Sequence, residues 1–83
     1  MTLFDMRMQR YSHEYRVSMI VGGWAYRRGD WLLAEQCYSS AMTHALRTIS
    51  SQFSGSHTAK KRFLAARRLQ VLAIKKRRSS TTA

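Results

Sequence analysis

Arg27-Arg28-Gly29-Asp30-Trp31-Leu32-Leu33-Ala34-Glu35-Gln36-Cys37-Tyr38-Ser39-Ser40-Ala41 is the stretch that decides the fold. Glycine fits the left-handed position that closes a helix, and an aspartate directly after it caps the next helix through its carboxylate. Arg28-Gly29-Asp30 therefore reads as a helix stop followed at once by a helix start, and so short a turn sets its flanking helices antiparallel. Beyond it Trp31, Ala34, Tyr38, Ala41, Ala45 and Ile49 recur at steps of 3, 4, 3, 4 and 4 residues, the repeat of an amphipathic helix. Small alanines alternating with two aromatics predict a seam into which a neighbouring helix fits its side chains.

Upstream, Val17, Ile20, Val21 and Trp24 share one helical spacing, and Phe4, Met8, Tyr11 and Tyr15 repeat it earlier. One long N-terminal helix accommodates both sets. Gly22-Gly23 weakens it by about 1 kcal/mol per glycine relative to alanine, and the pair either admits another helix closely or marks a kink. Downstream, Ser50, Ser51, Ser54, Gly55 and Ser56 predict a loop near residues 50–57, with Phe53 folded back on the core. Thr58 reads as the N-cap of a third helix. Ala65, Ala66, Leu69, Leu72 and Ala73 fall on one side of it and Lys60, Lys61, Arg67, Arg68, Lys75 and Arg78 on the other, with Leu64 and Val71 among the cations. Residues 79–83 offer nothing to bury and are expected to be disordered. The expected architecture is all-α: an antiparallel helical hairpin (about 11–28 and 31–49) in a module spanning 1–57, a basic helical arm at 58–78, and a short tail. The hairpin occurs once, which excludes a solenoid of repeats.

Composition agrees. The chain has 83 residues with 45% hydrophobic and 11% aromatic content, no proline and four glycines, enough apolar material for one small domain and too little turn chemistry for a β-sandwich. A lone cysteine, Cys37, forms no internal disulfide, and no apolar run approaches the length of a membrane span. The opening segment, Met1 to Gln9, includes Asp5 and lacks the apolar stretch of a signal peptide, so the expected compartment is the cytoplasm.

Charge is the strongest compositional fact. Fifteen Lys+Arg against four Asp+Glu give a net charge of +11, which attracts nucleic acid, anionic membrane or an acidic protein face. It is unevenly placed: all four acids and five arginines precede residue 46, and the remainder holds ten cations and no acid. Such a split separates a packing module from an interaction region.

Chemistry that catalysis needs is missing from the pattern. Asp5, Glu14, Asp30 and Glu35 form no carboxylate dyad, and Asp30 is already accounted for as a cap. His13, His44 and His57 lack metal-ligand spacing. Cys37 lies beside the alanine stripe, the usual setting of a small structural thiol. Gly22-Gly23 lacks the third glycine, the lysine and the strand of a phosphate loop. No catalytic residue, metal or cofactor is expected, and the chain reads as a binding protein.

The turn and stripe carry two resemblances. Gly-x-aromatic-x-x-Ala-x-x-x-aromatic-x-x-Ala is similar to a single tetratricopeptide-type hairpin, an architectural likeness. Arg28, Gly29, Trp31, Ala34, Tyr38, Ala41 and Ala45, within residues 15–45, resemble more closely the motif of the ANR family, the small AraC negative regulators of enteric bacteria. The resemblance implies a small helical repressor of transcription that binds AraC/XylS-type activators, including activators of virulence genes, and interferes with their dimerisation or DNA binding. It further implies that Trp31, Ala34, Tyr38, Ala41 and Ala45 contact the partner, their other role being the core of the hairpin.

Three functions are thus in view. The first is such a regulator, acting by protein contact and aided by electrostatic steering. The second is direct nucleic-acid binding, in which Lys60, Lys61, Arg67, Arg68, Lys75, Lys76, Arg77 and Arg78 track phosphates. The third, ranked last, is membrane association through the basic helix. A homodimer is a further option for the free chain.

Overall fold

The computed structural model describes residues 3–51 and 56–81, which form α1 (Leu3–Arg28), α2 (Trp31–Ser51) and α3 (Ser56–Thr81). Among the described residues there is no strand, and the all-α hairpin with a third helix is the observed architecture.

The turn follows its sequence chemistry. Gly29 has φ = 82°, its amide donates to the Tyr26 carbonyl at 3.1 Å, and the Asp30 amide donates to the Ala25 carbonyl at 2.9 Å. Those two bonds are a Schellman stop. Asp30 then starts α2: its Oδ1 accepts the Leu33 amide at 3.2 Å, and its carbonyl accepts the Ala34 amide at 3.0 Å. Two residues reverse the chain, and α1 runs back along α2.

Packing is built on small side chains. Ala34, Tyr38, Ala41 and Ala45 of α2 are buried, as are Ala25 of α1 and Ala59, Ala66 and Ala73 of α3. The α2 stripe points between the other two helices. Glu35 on one flank reaches Arg77 of α3, and His44 on the other reaches Glu14 of α1. Outer helices meet directly where the Tyr15 hydroxyl donates to the Arg62 carbonyl at 3.1 Å and Arg62 Nη1 donates to Ser12 Oγ at 3.1 Å. The result is a slender three-helix bundle of 52 × 18 × 12 Å.

Gly22-Gly23 does not kink α1, which is continuous through both. A Cβ on Gly22 would lie 2.7 Å from Cε1 of Tyr38, so this glycine admits the ring of the neighbouring helix. The long-helix reading of the N-terminus holds, but the inward face differs from the most apolar one. Val17, Ile20 and Trp24 are exposed, whereas Gly22 and Ala25 are buried and Tyr11, Tyr15 and Met19 half-buried. Close approach to an alanine seam requires small residues, and that requirement outweighs bulk.

Boundaries move outward elsewhere. α2 continues through Ser50 and Ser51, and α3 starts at Ser56, two residues before the expected cap at Thr58. A serine costs a helix only about 0.5 kcal/mol relative to alanine, so a serine cluster without proline does not end one. Of the expected loop at 50–57, residues 52–55, Phe53 among them, lie outside the described residues. At the other end residues 79–81 are helical instead of disordered, and residues 82–83 of the expected tail are outside the described residues. Nor is α3 a detached arm. Its alanines, seven residues apart, dock it on α2, while Ala65 and Leu72, expected on the apolar side, are exposed.

Candidate functional site

Two sets of residues were expected to meet partners, and the fold treats them differently. Ala34, Tyr38, Ala41 and Ala45 are between 0% and 3% exposed, packed against α1 and α3. They are the interior of this bundle, and a partner would touch them only if an outer helix moved away. Trp31 is half-buried. Its ring stands edge-on to Tyr26 with centroids 5.0 Å apart, and the Lys76 ammonium lies 6.0 Å from its centroid, so it closes one end of the hairpin.

Burial also sets the acid–base character of this seam. Tyr38 is held above its ordinary value of 10.0, chiefly by burial, with Tyr26 and Cys37 adding to the rise and Arg27 opposing it. Cys37 is pushed above 9.0 by burial and by the nearby Asp30 carboxylate. A thiol so disposed is a poor nucleophile at neutral pH.

The cationic set is presented outward, though not as one patch. Lys60, Lys61, Arg67, Arg68, Lys75 and Arg78 are exposed on the side of α3 opposite Ala59, Ala66 and Ala73. Leu64, Arg67, Arg68, Val71, Leu72 and Lys75 line an open groove of about 400 Å³. Lys76 and Arg77 turn toward α2 instead. Lys76 faces Trp31, and Arg77 Nη2 lies 3.0 Å from Glu35 Oε2, a charge pair not aligned as a hydrogen bond. Arg62, the remaining cation of this stretch, binds Ser12 and sits 5.4 Å from the centroid of Tyr15, where it joins α1 to α3.

A third surface was not singled out by sequence. Met6, Val17, Ile20 and Trp24 are 57%, 45%, 52% and 57% exposed. With exposed His13 they form one line along α1, opposite its packed face. Trp24, Arg27 and Arg28 border an open depression of about 380 Å³ at its end. The signal that finds it is the small-residue line Ser18-Gly22-Ala25, which claims the inward face and leaves the apolar line outside.

Among the described residues no three His, Cys, Asp or Glu side chains gather closely enough to hold a metal ion, and no helix is long and apolar enough to cross a membrane. Comparison with family models, curated proteins and solved structures gives no match.

Proposed function

We propose that this chain is a small helical regulator that performs no chemistry and acts by binding another regulatory protein, an activator of the AraC/XylS type, to lower transcription of its target genes. The observation that carries this reading is the exposed line of Met6, Val17, Ile20 and Trp24 on α1. An exposed tryptophan one turn from Ile20 and two from Val17, flanked by arginine, has the composition of a protein-binding hot spot. The ANR-like motif supports it in a specific way: Gly29 stops α1, and Ala34, Tyr38, Ala41 and Ala45 fill the seam. The motif then specifies the scaffold, and recognition is left to the outward faces.

Nuclease-treated copurification with a purified AraC/XylS-type activator tests the reading. A complex that survives nuclease and weakens on Trp24→Ala is the expected result. Retention of nucleic acid alone, with no activator, would refute it.

A second reading is direct binding to nucleic acid through α3, favoured by the exposure of Lys60, Lys61, Arg67, Arg68 and Lys75 opposite the alanine stripe. Deleting α3 is a poor test, because its alanines cover the seam. Arg67→Gln with Arg68→Gln leaves that packing intact and should weaken DNA binding. If about six phosphates are neutralised, log affinity falls with log salt at a slope near −5, and a flat salt dependence would exclude this mode.

A further inference from the structure

We propose that the outer face of α1 is a docking site for an acidic amphipathic helix of a partner protein. The inference rests on the protein-contact reading above and names the partner chemistry that this surface fits.

Geometry comes first. Met6, His13, Val17, Ile20 and Trp24 follow one another at steps of 7, 4, 3 and 4 residues, the spacing that keeps side chains on one line of a helix. The line extends about 27 Å at 1.5 Å per residue. It is a long, narrow, convex ridge with Trp24 at one end, not a pocket, and its natural complement is a second helix lying alongside with its own apolar residues at three- and four-residue steps.

Charge then selects the partner. At 100° per residue, Arg16 and Arg27 fall along one edge of the ridge and Arg10 and Arg28 along the other, and all four are exposed. Glu14, the acid of α1 among the described side chains, is already engaged: Arg10 Nε donates to its Oε1 at 3.1 Å, and His44 Nδ1 lies 3.2 Å from its Oε2. An occupant that carries Asp or Glu on both sides of its apolar line meets Arg16 and Arg27 on one side and Arg28 on the other, with Arg10 shared with Glu14, and is steered in by a chain of net charge +11. A second copy would bring the same four arginines and the same net charge, which opposes self-pairing. A phosphate backbone offers nothing to Ile20 and Trp24.

The probe is a synthetic peptide of about three heptads with leucine at the a and d positions and glutamate at e and g, titrated against the full chain by fluorescence anisotropy. One control scrambles the same residues and another replaces glutamate with lysine. The acidic peptide should bind the unaltered protein at least about tenfold more tightly than either control. Trp24→Ala and Ile20→Ser, each at an exposed position, should weaken it by about tenfold or more, whereas Arg67→Gln with Arg68→Gln on α3 should change it less than about twofold, as distant sites do.

Equal affinity for the scrambled peptide would overturn the proposal, since charge alone would then suffice even with every variant set aside. Loss through the α3 variant would move the site off the ridge, and a concentration-dependent dimer dissolved by Trp24→Ala, or preferential binding to anionic vesicles lost on Trp24→Ala, would assign the ridge to another occupant; each overturns the proposal as well. An activator complex that withstands Trp24→Ala would sink this site and leave the regulatory reading standing. Selective binding of the acidic peptide without any activator complex would do the reverse.

Discussion

The ring of Tyr38 occupies the space that a side chain on Gly22 would need: a Cβ there would stand 2.7 Å from Cε1 and 3.0 Å from Cδ1. Gly23, one residue on, is open, its nearest neighbour being the Arg27 guanidinium at 3.8 Å. The two glycines therefore answer oppositely to one substitution. Gly22→Ala should destabilise the bundle by about 1–3 kcal/mol through overpacking. Gly23→Ala should stabilise it by up to about 1 kcal/mol through helix propensity. Urea unfolding of both variants checks this, and equal shifts would show that Tyr38 does not hold the position assigned to it.

The Gly29–Asp30 reversal separates into two contributions. Asp30→Ala removes the cap on the Leu33 amide and should cost about 1 kcal/mol. Gly29→Ala forces a Cβ into the left-handed region and should cost about 1–2 kcal/mol. Asp30→Asn retains an acceptor and should preserve most of the stability. Thermal melts followed at 222 nm on the far-ultraviolet dichroism scale read all three.

Tyr15 and Arg62 join the outer helices. Tyr15→Phe deletes the hydroxyl that donates to the Arg62 carbonyl and should cost about 1 kcal/mol. Hydrogen exchange should rise first in α3, whose hold on the bundle this bond shares with small alanines. Exchange rising uniformly along the chain would mean that α3 has no independent opening.

Alkaline pH should weaken the fold. Tyr15 and Tyr38 are raised above 10.0, chiefly by burial, and Cys37 above 9.0 for the same reason. Between the ordinary and raised values the folded chain binds more protons than the unfolded one, so stability falls as pH rises. The contribution is complete below pH 9 and is lost above it, first through Cys37 and then through the tyrosines. Urea midpoints should decline across that range, and Cys37→Ser should remove the earliest part of the decline.

The hairpin was legible in sequence because its signals are local. Gly29, Asp30 and the alanine steps of α2 act through backbone conformation and residue spacing within a few turns, and each serves as read. Orientation of α1 was not legible from its apolar periodicity, since Val17, Ile20 and Trp24 are as regular as any core line. Only the demand of Tyr38 and the alanine seam for a small-faced neighbour turns them outward, and that demand resides in another helix. The seam of α2 was legible as a seam, but whether it faces a partner or its own chain depends on α3, whose docking alanines at 59, 66 and 73 are masked by the cations around them. Helix ends failed where composition stood in for geometry: the serines at 50, 51 and 56 are helical.

An interior assembled from alanines has a thermodynamic signature. Tyr38 is the sole bulky member among the buried hydrophobic side chains described, so unfolding hydrates little new hydrocarbon per residue. Since that hydration sets the heat-capacity increment, calorimetry should return less than the customary value of about 12–15 cal/mol/K per residue. The stability curve is then shallow and wide, and this bundle should withstand cold better than a protein of equal size packed with leucine and phenylalanine.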